Sequence, residues 1–360
     1  MTVKSDSSFL CLYASVKHIL CHRYVIKNVY FCAVNIKQQF IVKKSNWILA
    51  AILACFCVTA SAQKSTEEPK GKAIVQVFSN FHTGFGDTKN DRGFELDRSY
   101  VGYQYDLGKG VQSKGVMDIG QSDDVNDYHR IAYIKNAQIT WKTGNWTLNG
   151  GLISTTQFNM QEKFWGYRYV MKSFQDQYKF GNSADLGISA AYKFNDWLSA
   201  DAIVVNGEGY KKVQKNDGLQ YGLGATLTPA KALTFRVYYG LNEGSEDTQE
   251  NTQNLATFIG LKFNRFSIGA EYNRIWNAKY VNENDYDGFS VYSTVNLNKG
   301  ADLYLRFDEF DGSESAFIAG VQWRLGKYVK LSPNFRWNHK DLDGGNNDRY
   351  MGYISCYFGF

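Results

Sequence analysis

The stretch Leu233-Thr234-Phe235-Arg236-Val237-Tyr238-Tyr239-Gly240-Leu241 decides the fold. Leu233, Phe235, Val237, Tyr239 and Leu241 recur at every second position, with Thr234, Arg236, Tyr238 and Gly240 between them. Side chains of an extended chain alternate between faces, so this segment is a strand with one apolar and one polar side. Neighbouring segments repeat the pattern in the sets Leu219/Tyr221/Leu223/Ala225/Leu227, Leu186/Ile188/Ala190/Tyr192/Phe194 and Phe289/Val291/Val295/Leu297. It continues through Leu303/Leu305/Phe307, Phe317/Ala319/Val321/Trp323/Leu325 and Val329/Leu331/Phe335/Trp337.

Two architectures produce such alternation, a β-sandwich and a transmembrane barrel. Aromatics at strand ends (Trp141, Trp146, Trp197, Phe263, Phe266, Trp323 and Trp337) favour the barrel, because amphipathic rings settle at the lipid headgroup level. Connections also alternate in length. Asn195-Asp196, Pro229-Ala230-Lys231, Asn264-Arg265, Asn298-Lys299-Gly300 and Gly326-Lys327 read as tight turns. Segments 207–218, 243–254, 277–287, 309–315 and 339–349 read as longer polar loops. Short periplasmic turns and long outer loops are the habit of outer-membrane barrels. The expectation is an all-β chain, a transmembrane antiparallel β-barrel of about 16 strands over 71–360, with 14 or 18 also compatible with the pattern.

Composition agrees. The 360 residues include 16% aromatics, 33 Gly and only 3 Pro. A membrane helix needs about 20 consecutive apolar residues, whereas a barrel strand needs about 9–11 in which alternate side chains are apolar.

The start of the chain reads differently. Lys43-Lys44 precede the apolar run Trp47–Ala60, and Ala60-Ser61-Ala62 supplies a small-x-small cleavage site, so 43–62 reads as a signal peptide cut between Ala62 and Gln63. The run is short for a membrane anchor, and Leu53 fits poorly in a lipoprotein signal ending at Cys55. Residues 1–42 then read as an upstream extension from a mis-called start codon, and 63–70 as a polar periplasmic tether.

Residues 1–62 hold seven of the 40 Lys/Arg and one of the 35 Asp/Glu, so the remainder is nearly balanced and gives no case for nucleic acid. They also hold five of the six Cys. Cys356 alone remains, which excludes a disulfide framework or a Cys-based zinc site within one mature chain.

The last segment, Tyr350 to Phe360, alternates up to a terminal aromatic, the form of the signal read by the outer-membrane assembly machinery. Phe94-Glu95-Leu96-Asp97-Arg98-Ser99-Tyr100-Val101-Gly102-Tyr103, Tyr133-Ile134-Lys135-Asn136-Ala137-Gln138-Ile139-Thr140-Trp141, Phe164-Trp165-Gly166-Tyr167-Arg168-Tyr169 and Ser183-Ala184-Asp185-Leu186-Gly187 resemble porins of Bacteroidetes outer membranes. Those are distantly similar to the phosphate-selective porin family. The likeness is diffuse but runs across most of the chain after residue 63. It implies a sixteen-stranded homotrimeric barrel in contact with lipid and lipopolysaccharide, without establishing phosphate as the solute.

One segment breaks the alternation. Residues 154–180 mix polar and aromatic residues at a length that suits a loop folded into the lumen, with Lys163, Arg168 and Lys172 at the constriction. By alternation Lys193, Arg236, Lys262, Arg306, Arg324, Lys330 and Arg336 face the pore, as do Asp185, Asp201, Glu271, Asp302 and Asp308. Small polar or anionic solutes with a modest anion preference are therefore expected. Enzyme signals are weak. His82, His129 and His339 are scattered, Gly222-Leu223-Gly224 lacks the context of a dinucleotide loop, and the acidic run 341–348 departs from EF-hand spacing. No catalytic residue and no cofactor is expected. A barrel hydrolase and a plugged structural or adhesive barrel are the competing classes.

Overall fold

The computed structural model describes residues 70–121, 129–342 and 345–360, apart from 216, 247 and 299. The upstream extension, the signal peptide, the Ala62/Gln63 cleavage site and nearly all of the tether lie outside the described residues.

Sixteen strands follow one another: β1 (Gly71–Phe85), β2 (Arg92–Gly108), β3 (Val111–Gln121), β4 (Arg130–Thr143), β5 (Trp146–Ser154), β6 (Ala184–Lys193), β7 (Leu198–Val205) and β8 (Gln220–Ala230). The second half is β9 (Leu233–Asn242), β10 (Thr252–Lys262), β11 (Phe266–Trp276), β12 (Tyr286–Asn298), β13 (Ala301–Phe310), β14 (Glu314–Arg324), β15 (Val329–Leu342) and β16 (Gly345–Gly359). Each pairs antiparallel with its sequence neighbour, and β1 pairs with β16 to close the barrel. Closure satisfies every edge, which a sheet in lipid requires. The seam is completed by reciprocal backbone bonds between Val75 and Phe360, at 3.1 and 3.0 Å.

Alternation sets the faces as the sequence pattern requires. On β9, Phe235, Val237 and Tyr239 are exposed to the outside while Arg236 and Tyr238 are buried inside. Leu223 on β8 is 66% exposed, as a lipid-facing residue must be when lipid is not counted. Trp146, Phe194, Trp197, Phe263, Phe266, Trp323, Tyr328 and Phe360 form an exposed aromatic belt near the short turns.

Two expected long loops are instead ends of strands. β13 and β14 are joined only by 311–313, and β15 and β16 run on to Leu342 and from Gly345. Polar cross-strand pairs carry these ladders onward: Ser315 with Glu309, Lys340 with Glu314, and His339 with Asp348. A polar strand end reads as a loop in sequence because alternation in hydrophobicity vanishes once both faces are wet.

Candidate functional site

The connection between β5 and β6 enters the barrel. It carries two short helices, α1 (Asn159–Trp165) and α2 (Phe174–Gln177). α1 ends on Gly166 at φ 74°, a left-handed position where glycine avoids the Cβ clash, and its N–H donates to the Glu162 carbonyl at 3.0 Å. Phe158, Trp165, Tyr167, Tyr169, Val170, Phe174 and Phe180 on this connection are all buried. The Trp165 ring packs edge-on against Tyr292 of β12 and Tyr304 of β13, with centroids 5.6 and 5.8 Å apart, and Tyr167 stacks on Tyr304 at 4.3 Å. Phe164 meets Phe258 of β10 at 5.1 Å, and Tyr169 meets Tyr357 of β16 at 5.8 Å. Each large ring withdrawn from water contributes about 1.5–3 kcal/mol, so the aromatic composition of the loop fixes it against the wall.

Backbone carbonyls of an irregular segment buried inside a barrel need donors. Three wall arginines supply them. Arg236 Nη2 donates to the Thr156 carbonyl, Arg306 Nη1 to that of Lys172 and Arg336 Nη2 to that of Val170, each at 2.6 Å. Asp201 grips Arg236 at 2.7 and 3.0 Å, and Asp308 grips Arg306 through two bonds of 2.7 Å. Asn334 accepts from Arg336 Nε at 2.9 Å. These three side chains, expected to meet solute, are directed to the loop instead, because a guanidinium can serve a carboxylate and a carbonyl together.

The other expected wall cations are dispersed. Arg324 pairs with Asp302, which also accepts from Gln322 at 2.9 Å. Lys330 lies over the Tyr357 ring at 5.0 Å. Lys193 has inward parity but sits at the short-turn rim, paired with Asp196 at 2.6 Å. Lys262 is likewise at the rim, in a cleft between two turns, because β6 and β10 end at these residues. Both therefore sit at the short-turn end of the barrel wall. Among the acidic set, Asp185 accepts the Gly207 and Gly209 amides at 2.7 and 3.1 Å, and Glu271 accepts from Asn273 at 3.2 Å.

A different group converges on Tyr100. The Tyr100 hydroxyl on β2 receives Arg168 Nη2 from the loop at 3.1 Å, Lys135 Nζ from β4 at 3.3 Å and Arg98 Nη1 at 3.4 Å. Arg168 also contacts Asp176 at 2.8 Å and Glu162 at 3.4 Å, and Arg98 contacts Asp118 at 3.3 Å. Lys114 of β3 is within electrostatic range of Lys135 and of the exposed Lys163. Lys135 Nζ also lies over the Tyr100 and Tyr210 rings at 4.8 and 5.6 Å, and Lys211 Nζ over Tyr133 at 5.4 Å.

Lys135 reaches this place through a β-bulge. β3 pairs Val116 with Asn136 and then Met117 with Ile134, leaving Lys135 as the extra residue. Strict alternation from Ala137 sends Lys135 outward; the bulge turns it into the lumen. Arg98 and Tyr100 follow a second irregularity, where Phe78 pairs with Arg98 and Ser79 with Leu96, skipping Asp97.

Beyond this cluster, toward the long loops, a cavity of about 540 Å³ is lined by Arg98, Lys172, Asp176, Asn182, Tyr210 and Lys211 among others. On the loop, burial pushes the Asp176 carboxyl upward, but the Arg168 guanidinium outweighs it and holds the group below the ordinary 3.8. Lys172 is exposed to the cavity, yet desolvation by the enclosing protein lowers its ammonium from 10.5; Asp176 opposes this, while Arg98, Arg168 and Lys211 add to it. The phenol of Tyr167 is pushed up to about 12, chiefly by burial. Opposite the greasy face of the loop, an uncharged polar strip runs from Gln138 to Thr140 at 3.0 Å, Thr140 to Asn149 at 2.7 Å and Asn149 to Ser189 at 3.0 Å.

The hydrolase alternative asks for a histidine beside a hydroxyl. His82 instead presents its two ring nitrogens to Asn80 at 2.9 Å and Asp91 at 3.3 Å, and His339 to Asp348 at 2.8 Å and Asp341 at 3.1 Å.

No protein-family model and no curated protein sequence matches the chain. Solved structures do. An outer-membrane expressed OmpT of Vibrio cholerae superimposes with a TM-score of 0.57 at 13% identity, covering 82% of this chain and 99% of that one. The outer membrane channel DcaP of Acinetobacter baumannii gives 0.58 at 11% identity over 82% and 99%. A mutant of the Rh. blastica porin gives 0.56 at 13% identity over 81% and 100%. At such identities the likeness establishes the fold, which is that of an outer-membrane β-barrel.

Proposed function

We propose that this chain is a porin of the bacterial outer membrane that passes small polar solutes by diffusion, with a modest preference for anions. The observation that carries the reading is the convergence of Arg168, Lys135 and Arg98 on the Tyr100 hydroxyl, at the level where the in-folded loop narrows the barrel. A neutral phenol cannot compensate three cations. Asp118, Asp176 and Glu162 offset part of that charge, while Lys114, Lys163 and Lys172 add to it, so the local field favours anions without strict selectivity for phosphate. Sixteen strands enclose enough space for an aqueous path beside the loop.

The rest of the reading rests on sequence. The diffuse likeness to Bacteroidetes porins supports a homotrimer bordered by lipid and lipopolysaccharide. Phe360, closing the last strand, supports delivery by the outer-membrane assembly machinery, and the Ala62/Gln63 site supports removal of a signal peptide. Planar-bilayer recording tests the channel itself. Discrete conductance steps that scale with salt are expected; a protein that inserts fully folded and carries no ion current would overturn the proposal.

A further inference from the structure

Near the short turns, two adjacent connections flank the β9–β10 pair: 231–232 leads into β9 and 263–265 leads out of β10. They are tied by the Lys262 amide, which donates to the Ala232 carbonyl at 2.8 Å. Between them lies a cleft of about 880 Å³ lined by Lys231, Lys262, Phe263, Asn264, Arg265 and Phe266. It has three cations and no carboxylate in its lining. Among the described residues none of the three has an ion-pair partner, whereas other cations near the short turns are engaged: Lys193 with Asp196, Arg324 with Asp302, and Lys327 over the Tyr328 ring. Phe263 and Phe266 stack beside the cations, with centroids 6.4 Å apart and planes 14° apart, and both rings are exposed on the aromatic belt.

Three unpaired cations lining one cleft repel one another, and no porin function of the lumen needs them at the rim. The belt places the cleft at the height of lipid headgroups on the short-turn side. We propose that Lys231, Lys262 and Arg265 form a binding site for the phosphate of an anionic phospholipid headgroup, with the stacked Phe263 and Phe266 rings meeting the upper acyl chains. Arg265 supplies a forked donor for phosphate oxygens, and the two lysines supply mobile point charges. The proposal rests on the reading of the barrel as an outer-membrane protein, with this face toward the periplasmic leaflet.

The test uses the full chain, folded into phosphatidylcholine vesicles containing one-third phosphatidylglycerol, then extracted gently and examined by native mass spectrometry for retained lipid. Wild type is expected to retain phosphatidylglycerol well above its share of the vesicle. Lys231→Gln, Lys262→Gln and Arg265→Gln should each lower that enrichment about five-fold, and the triple variant should retain both lipids in proportion to the mixture. Heat-modifiable mobility on gels confirms that each variant is folded. Inorganic phosphate at millimolar levels should leave the lipid in place; displacement by phosphate would make this a site for the free anion and overturn the lipid assignment. Equal retention by wild type and the triple variant would overturn it as well. A chain that fails to insert into any vesicle would overturn the outer-membrane reading, and the lipid site with it.

Discussion

Arg306 donates to the Lys172 carbonyl at 2.6 Å while its Nε and Nη2 grip Asp308, so this wall cation faces backbone rather than solute. Both side chains are almost wholly buried. Arg306→Met would leave Asp308 unpaired inside the protein and the carbonyl without its donor. A loss of about 3–5 kcal/mol in urea unfolding from vesicles is expected. Adding Asp308→Leu removes the stranded charge and should recover most of it, leaving about 1–3 kcal/mol for the orphaned carbonyl. Identical losses in the single and double variants would show that the pair does not hold the loop.

The two faces of the strands give a second contrast. Val237 and Leu223 point to lipid, whereas Gln220 lines the cavity beyond the Tyr100 cluster and Thr234 has inward parity. Arginine at Val237 or Leu223 should cost about 2–4 kcal/mol near the midplane, while Thr234→Arg and Gln220→Arg should be tolerated. Equal sensitivity at all four positions would refute the assignment of faces.

The strands are legible in the sequence because lipid enforces a period of two across the membrane-facing stretches, and 154–180 stands out because its aromatics ignore that period. What could not be read is which wall cations meet solute. Arg236, Arg306 and Arg336 look identical in sequence to pore-lining residues; only the loop carbonyls opposite them assign their role. Lys135 had the opposite problem. Its parity points outward, and the bulge that reverses it leaves no mark in residue type. The segments that resemble porins hold Arg98, Tyr100 and Lys135, yet nothing in their spacing brings β2 and β4 together with Arg168.

Acid should act through Asp176. Its carboxyl lies below 3.8 in the folded chain, so its contribution to loop docking is complete above that value and is lost as pH falls through the lower folded value. Channel conductance should therefore hold down to about pH 4 and change in stronger acid. Asp176→Asn should shift or abolish that acid transition. A wild-type transition centred well above pH 4 would place its cause elsewhere.

Alkali should act through Lys172, whose ammonium is lost below the ordinary 10.5 because the barrel encloses it. Anion preference is expected to decline as that value is approached from below, and Lys172→Arg should hold it, since a guanidinium stays charged there. An unchanged alkaline profile in Lys172→Arg would remove Lys172 from the selectivity site.

Reversal potentials across a salt gradient in planar bilayers test the central claim most directly. Wild type should prefer anions, and the preference should shrink as salt rises from 0.1 to 1 M and the Debye length falls from about 10 to about 3 Å. Lys135→Glu and Arg168→Glu should lower the anion-to-cation permeability ratio markedly, while Arg324→Glu, beside Asp302 and away from the Tyr100 cluster, should change it little. A cation-selective wild type, or a ratio indifferent to Lys135→Glu and Arg168→Glu, would contradict the placement of the selectivity site around Tyr100.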